Sequence, residues 1–425
     1  MPSYINLTPD EKIQELSKIE ALYAACKQQK NNLNMTRGKP CTQQLNLSAA
    51  MMTCLEDDDY KAEDGSDCRN YGGLDGLSEA RSLFAEMLGF KQEQLMVLGN
   101  ASLNIMYDLL VKAMLFSLPG AEKPWSKHEK IRFLCPVPGY DRHFAITERL
   151  GFDMINIPMT EEGPDMDLVE QYAADPSVKG MWLVPVYSNP QGYTCSEKTC
   201  QRLAAMKTAP DFRLFWDNAY AVHHLDFHQQ QTVPNIIELC EQAGHPDRVF
   251  AFASTSKITW AGAGIACLAS SPVNLAYVKD QMALQTIGPD KVNQLRHVRF
   301  LKDQAGLEAL MKKHAEILKP KFDLVDEILV RDLEGLEISD WLEPKGGYFV
   351  SVDVMPGIAD EVVSLAKGCG VELTPAGSTH PYKKDPQNST IRLAPSFPPL
   401  DELRQAMDVL TVCIRLAALR KLCEA

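Results

Sequence analysis

Residues 250–264 read FAFASTSKITWAGAG: an apolar run ends in small hydroxylated residues, then a single lysine, then a stretch of small residues with two glycines. Lysine is among the side chains that proteins bury least. A lysine at the end of a buried strand is therefore either emerging into water or held there for chemistry. The hydroxyls of Ser254 and Ser256 beside Lys257 sharpen the question, because such groups can hold an anion.

Working outward, similar apolar runs recur at 131–137 (IRFLCPV), 180–187 (GMWLVPVY), 212–217 (FRLFWD) and 264–270 (GIACLAS). Between them lie segments of helical period, such as SLNIMYDLLVKAMLFSL (102–118), DMDLVEQYAAD (165–175) and SEKTCQRLAAMK (196–207). Strands alternating with helices predict an α/β fold whose mostly parallel sheet is covered on both faces. Ligands in such folds sit beyond the carboxyl ends of the strands. Those ends carry Asn189 and Gly192, Asp217 and Tyr220, and Lys257.

The texture changes near residue 290. A long helical stretch, interrupted by Pro320, precedes the strand-like segments 346–354, 371–377 and 390–396 and a final helix over 400–423. The expected organisation is an N-terminal arm (1–45) joining a small domain, a large α/β domain (46–295) and a smaller C-terminal α+β domain (296–425). The arm opens on a helix signal, with Thr8 as cap, Pro9 in the first turn and Glu11 completing a capping box. It ends at NNLNMTRGKP, where Gly38 and Pro40 break regular structure.

Bulk composition narrows the function classes. The 425 residues are 45% hydrophobic and 23% charged, and 43 Lys and Arg stand against 56 Asp and Glu, a formal charge of −13. That sign favours neither nucleic acid nor an anionic membrane. The start lacks the pattern of a signal peptide, and no apolar run approaches the ~20 residues that span a bilayer. The 12 cysteines are scattered singly, without the spacing of a zinc site or redox pair. The expectation is a cytoplasmic protein with reduced thiols and no metal.

Taken singly, each candidate residue has a plain role. GNAS (99–102) is a turn before a helix, NPQG (189–192) a turn, Asp217 a strand-end carboxylate, Tyr140 a packing aromatic and Arg392 a surface or ion-pair residue. Together they describe one site. A strand-end lysine can form a Schiff base with an aldehyde cofactor, and a carboxylate can keep a pyridinium nitrogen protonated. Hydroxyls and helix-start N–H groups can take a phosphate, and an aromatic can cover a ring. These are a protein's duties toward pyridoxal phosphate.

The ordered set YGGLDG, GNAS, PGY, NPQG, DNAY, STSK and IRLAPS resembles the fold-type-I, class I aminotransferases that use pyridoxal phosphate, over about residues 34 to 400. LNMTRGKP with STSKITWAGAG resembles, more narrowly, a divergent bacterial subgroup of aspartate aminotransferases. The resemblance implies that Lys257 anchors the cofactor and shuttles the proton, that Asp217 pairs with the pyridine nitrogen, and that Asn189 and Tyr220 bond the phenolic oxygen. It implies further that Tyr140 stacks on the ring and that Ala101, Ser102, Ser254 and Ser256 hold the phosphate. Tyr71 would reach the phosphate of the neighbouring subunit in a homodimer. Gly38 would lie close to the substrate, and Arg392 would grip its α-carboxylate.

One position departs from the family. Relatives usually carry an arginine eight residues after the lysine, and here that position is Ile265. The phosphate is then expected to rest on N–H groups of the glycine-rich segment, on hydroxyls, or on a cation from elsewhere. A dicarboxylic substrate needs a second cation, for which Arg37, Lys39, Arg142, Lys291 and Arg296 are candidates. Subgroup resemblance makes L-aspartate with 2-oxoglutarate the leading pair. Broad-range, aromatic or 2-aminoadipate transfer, a β-lyase, and a metabolite-sensing regulatory module are the rivals.

Overall fold

In the computed structural model, which describes residues 3–29 and 31–424, the apolar runs are strands. In chain order these are β1 (Leu33–Asn34), β2 (Leu95–Val97), β3 (Arg132–Val137), β4 (Asp153–Thr160), β5 (Gly163–Pro164), β6 (Val178–Leu183) and β7 (Arg213–Asp217). There follow β8 (Val249–Ser254), β9 (Ala266–Ala269), β10 (Ser339–Trp341), β11 (Val350–Val354), β12 (Val371–Glu372) and β13 (Thr390–Leu393). Eight of them form one sheet in the order β2-β9-β8-β7-β6-β3-β4-β5. The run β4, β3, β6, β7, β8 is parallel, and β9 inserts antiparallel between β8 and β2.

Continuous apolar strands follow from burial on both faces. Along β7, Leu214 and Trp216 enter the core on one side, while Phe215 enters the core on the other. The second face is an aromatic layer in which Trp182 stands 5.4 Å from Phe133 and 4.9 Å from Phe215, and Phe250 and Phe252 each lie 5.8 Å from Phe215. A polar side chain in the middle of these strands would have no water on either side, so chemistry is confined to the strand ends.

The remaining strands build a second body. β10, β11 and β13 form an antiparallel sheet, and β1 of the arm pairs in parallel with β12. The helix Pro9–Gln28 packs on the C-terminal helix Leu400–Glu424. Thr8 caps it with the expected capping box. The arm differs from its sequence expectation in one respect: Leu33–Asn34 is extended and paired before the chain reaches Gly38.

Pro320 does not interrupt the long helix. Gln304–Leu333 runs through it as one element, and the break falls at Lys302–Asp303, where Lys302 has φ 67°. Proline removes the bond to the carbonyl four residues back, here that of Glu316. Both Pro320 and Glu316 are exposed, so water can take that carbonyl. Leu318, Phe322, Leu324 and Val325 meanwhile hold the helix against the core. The same helix touches both bodies, since its first turns bring Leu307, Leu310 and Met311 against Leu83 and Ile258.

Candidate active site

The carboxyl ends of β3, β6, β7 and β8, with the chain leaving β2, open on one edge of the large sheet, and the segments after them converge there. Lys257 lies three residues beyond β8, its Nζ 4.9 Å from the ring centre of Tyr220 and 6.0 Å from that of Tyr348. Burial lowers its ammonium below the usual lysine range, and the Asp217 carboxylate pulls in the opposite direction. This amine is thereby biased toward its neutral, nucleophilic form. The Tyr220 phenol is pushed up by burial, reinforced by Tyr140 and Asp217.

Asp217 closes β7 and is 3% exposed. Its Oδ2 is 3.0 Å from His143 Nε2, while its Oδ1 is buried without a hydrogen-bond partner. His143 stacks flat on Trp182, with ring centres 4.2 Å apart and planes at 4°, and meets Tyr140 edge-on at 4.9 Å. Sequence reasoning missed His143. The signal was available, since in PGYDRHF it stands three residues after Tyr140 at the start of the helix Asp141–Arg149, a spacing that puts both on one face. Tyr140 has its hydroxyl pushed up to about 12 by burial and by the Asp217 and Asp141 carboxylates. Asn189 is buried in the chain after β6, and its Oδ1 too has no partner.

The anion cradle lies between Ala101 and Ser256. Ala101 is the N-cap of the helix Ser102–Leu115, and no side chain caps that helix, so its first N–H groups remain for another acceptor. Ser254 Oγ donates to Ser256 Oγ at 3.1 Å, which donates to the Asn100 carbonyl at 3.4 Å. Ile265 adds nothing to the cradle. Its side chain is in the core, and its N–H donates to Thr255 Oγ1 at 3.0 Å. Gly264 passes so close that a Cβ there would stand 3.3 Å from both the Asn100 oxygen and the Ser256 nitrogen. Asn293 fixes this segment from the helix Lys291–Leu301, donating to the carbonyls of Ala263 and Gly264.

Behind the lysine lies a buried polar network that the sequence did not announce. Gln44 Nε2 donates to Tyr348 Oη at 2.8 Å and to His314 Nδ1 at 3.0 Å. His314 Nε2 donates to the Ile258 carbonyl at 2.9 Å, and Tyr348 Oη to that of Lys257 at 3.4 Å. Three distant segments thus pin the main chain that carries Lys257.

Arg392 on β13 approaches from the second body. Nη1 is 3.3 Å from Asp141 Oδ1, Nη2 donates to Thr374 Oγ1 at 3.3 Å, and the buried Nε has no partner. Its guanidinium lies over Phe349, 4.9 Å from the ring centre. A Cβ on Gly38 would stand 2.5 Å from that ring, so Gly38 borders the same space. Of the candidate second cations, Arg37, Lys39 and Arg142 are exposed, and Lys39 rests over the Phe397 ring. Lys291 donates to the Tyr71 carbonyl at 3.1 Å, and Arg296 Nη2 to Asn293 at 2.6 Å. Tyr71 itself is 81% exposed.

The residues present fit pyridoxal phosphate. The unpartnered Asp217 Oδ1 suits a protonated ring nitrogen, the uncapped helix start suits a phosphate, and the buried amine suits the aldehyde. Among the described residues, no group of three or more His, Cys, Asp or Glu could hold a metal ion, and no helix is long and apolar enough to cross a membrane.

A family model described as aspartate amino-transferase matches residues 7–425. The aspartate aminotransferase of Corynebacterium glutamicum is 49% identical over 387 residues, 91% of this chain and 89% of that protein. The crystal structure of an aspartate transaminase from Corynebacterium glutamicum superposes with a TM-score of 0.97 at 46% identity, covering 99% of each chain. A Thermus thermophilus α-aminoadipate aminotransferase, crystallised with N-(5'-phosphopyridoxyl)-L-leucine, shares the fold at a TM-score of 0.73 and 20% identity, over 98% of this chain and 96% of that one.

Proposed function

The chain belongs to the aspartate amino-transferase family, in the fold-type-I class of aminotransferases, and from that premise we propose that it moves the amino group of L-aspartate to 2-oxoglutarate with pyridoxal phosphate as cofactor. The products are oxaloacetate and L-glutamate. The observation that carries the cofactor assignment is the buried, unpartnered Oδ1 of Asp217 at the strand end that faces the Lys257 amine. Support for aspartate comes from the 49% identical relative that bears that activity in its name.

When bound, the cofactor supplies an electron sink for the bond broken at Cα of the amino acid. The chain supplies the rest. Lys257 would anchor the aldehyde carbon, and its amine would take the Cα proton, a duty that needs the neutral form its burial favours. Asp217, oriented by His143, holds a proton on the ring nitrogen. Asn189 and Tyr220 bond the phenolic oxygen, and Tyr140 covers one face of the ring. Ala101 and Ser102 at the helix start, with Ser254 and Ser256, take the phosphate, and the partial positive charge of the helix N-terminus stands in for the arginine that Ile265 replaces. Arg392 binds the α-carboxylate beside Gly38. The protein works as a homodimer, in which the exposed Tyr71 reaches the neighbouring subunit's phosphate.

The test is a panel of amino donors with 2-oxoglutarate, using protein loaded with pyridoxal phosphate. Aspartate should be the best donor, with oxaloacetate as product. Activity on aromatic or aliphatic donors with none on aspartate would overturn the substrate, and release of pyruvate and ammonia without an acceptor would overturn the transfer.

A further inference from the structure

Arg392 is 7% exposed, yet its fork is only loosely used. A buried guanidinium needs a counter-charge. Among the described residues the one it has is Asp141, through a single contact of 3.3 Å with Nη1. Thr374 Oγ1 takes Nη2 at 3.3 Å while donating to the Thr36 carbonyl at 3.0 Å, and Nε has no partner. Asp141 opens the helix after β3 and belongs to the body of the large sheet, whereas Arg392 belongs to the three-stranded sheet. The Asp141 side chain is 36% exposed, and Arg392 is its one side-chain partner among the described residues. It can therefore swing into water without breaking any other bond.

We propose that Asp141 is an internal surrogate for the substrate carboxylate, occupying Arg392 in the empty enzyme and displaced when a carboxylate ligand binds. This inference rests on the assignment of Arg392 to a substrate carboxylate. A ligand carboxylate prefers the bidentate fork, and two carboxylates on one guanidinium repel. Ligand entry and departure of Asp141 are thus one exchange. The surrogate keeps the guanidinium compensated between turnovers and weakens the capture of every carboxylate ligand. Because Asp141 has left before chemistry begins, its cost falls equally on bound substrate and transition state, which places it in KM rather than kcat.

The experiment uses succinate, a dicarboxylate with no amino group to react, and protein loaded with pyridoxal phosphate. By calorimetry, Asp141→Asn should bind succinate about two- to fivefold more tightly, the range of a partly exposed ion pair. Asp141→Ser should do the same, and KM for amino donors should fall in parallel while kcat moves less. Unchanged or weaker succinate binding in both variants would overturn the proposal, because it would make Asp141 a mere brace for Arg392. A crystal of the unaltered protein with succinate tests the exchange without any substitution. Asp141 should have left Arg392, and an Asp141 that keeps its 3.3 Å contact beside bound succinate refutes the exchange. Failure of the donor panel alone, with tighter succinate binding intact, would reject aspartate as substrate and leave the surrogate standing.

Discussion

Replacing His143 with alanine tests whether Asp217 is held for its task by a neighbour rather than by its own backbone. The imidazole Nε2 lies 3.0 Å from Asp217 Oδ2, with side chains only 3% and 4% exposed, so in the intact protein the bond is sheltered from solvent. A hydrogen bond to a charged group is worth about 1.5–3 kcal/mol. The stacked contact with Trp182 at 4.2 Å adds about 0.5–1.5 kcal/mol. The cofactor-free protein should lose about 2–4 kcal/mol, which for a chain of this length lowers Tm by about 2–5 °C. Turnover should fall about ten- to hundredfold if the bond is needed in the transition state. His143→Gln, whose amide can still donate, should recover part of both losses. Scanning calorimetry and steady-state kinetics on the two variants provide the measurements. A His143→Ala protein with unchanged Tm and turnover, or a Gln variant no better than Ala, would show that Asp217 does not depend on this partner.

Lys257→Ala should abolish transfer by at least about a thousandfold, within the range of a positioned proton-transfer group. Calorimetry should find its cofactor-free Tm unchanged or slightly raised, because a buried amine is removed, and a large loss of Tm would contradict this. His297 and His314 are held neutral by burial, with pKa values near 4 against an ordinary 6.5. The unfolded chain therefore binds their protons first. Their stabilising contribution is complete above pH 6.5 and is lost as pH falls toward 4. Urea midpoints from pH 7 to 4 should reveal the decline, and His314→Gln should flatten it by up to about 1.4 kcal/mol per pH unit; an unaltered slope would refute the assignment. Gly38→Ala places a methyl 2.5 Å from the Phe349 ring beneath Arg392. It should cost about 1–3 kcal/mol of stability and raise KM for carboxylate donors, so unchanged values of both would count against the packing.

Much of the fold was legible because its determinants are local. The capping box at Thr8 and Glu11 is complete within four residues, and the apolar runs announced strands buried on both faces. Pro320 misled for the complementary reason. Its effect on a helix depends on whether water can reach the carbonyl of Glu316, and exposure is set by packing. The short strand β1 was equally hidden, since two residues become a strand only because Val371 and Glu372 lie alongside them.

The site divides along the same line. Candidate residues could be named from the chain, Lys257 and Asp217 because they stand at strand ends and Arg392 through the resemblance to a known family. Their partners could not. Asp217 finds His143 74 residues away, Arg392 finds Asp141 251 residues away, and Gln44 finds Tyr348 304 residues away. The sequence by itself determined which groups could react and which segments would bury themselves, because periodicity and turn chemistry act over a few residues. Only the tertiary structure decided which atoms were satisfied and which were left open for a ligand, because hydrogen bonds and desolvation act over a few ångströms, whatever the distance along the chain.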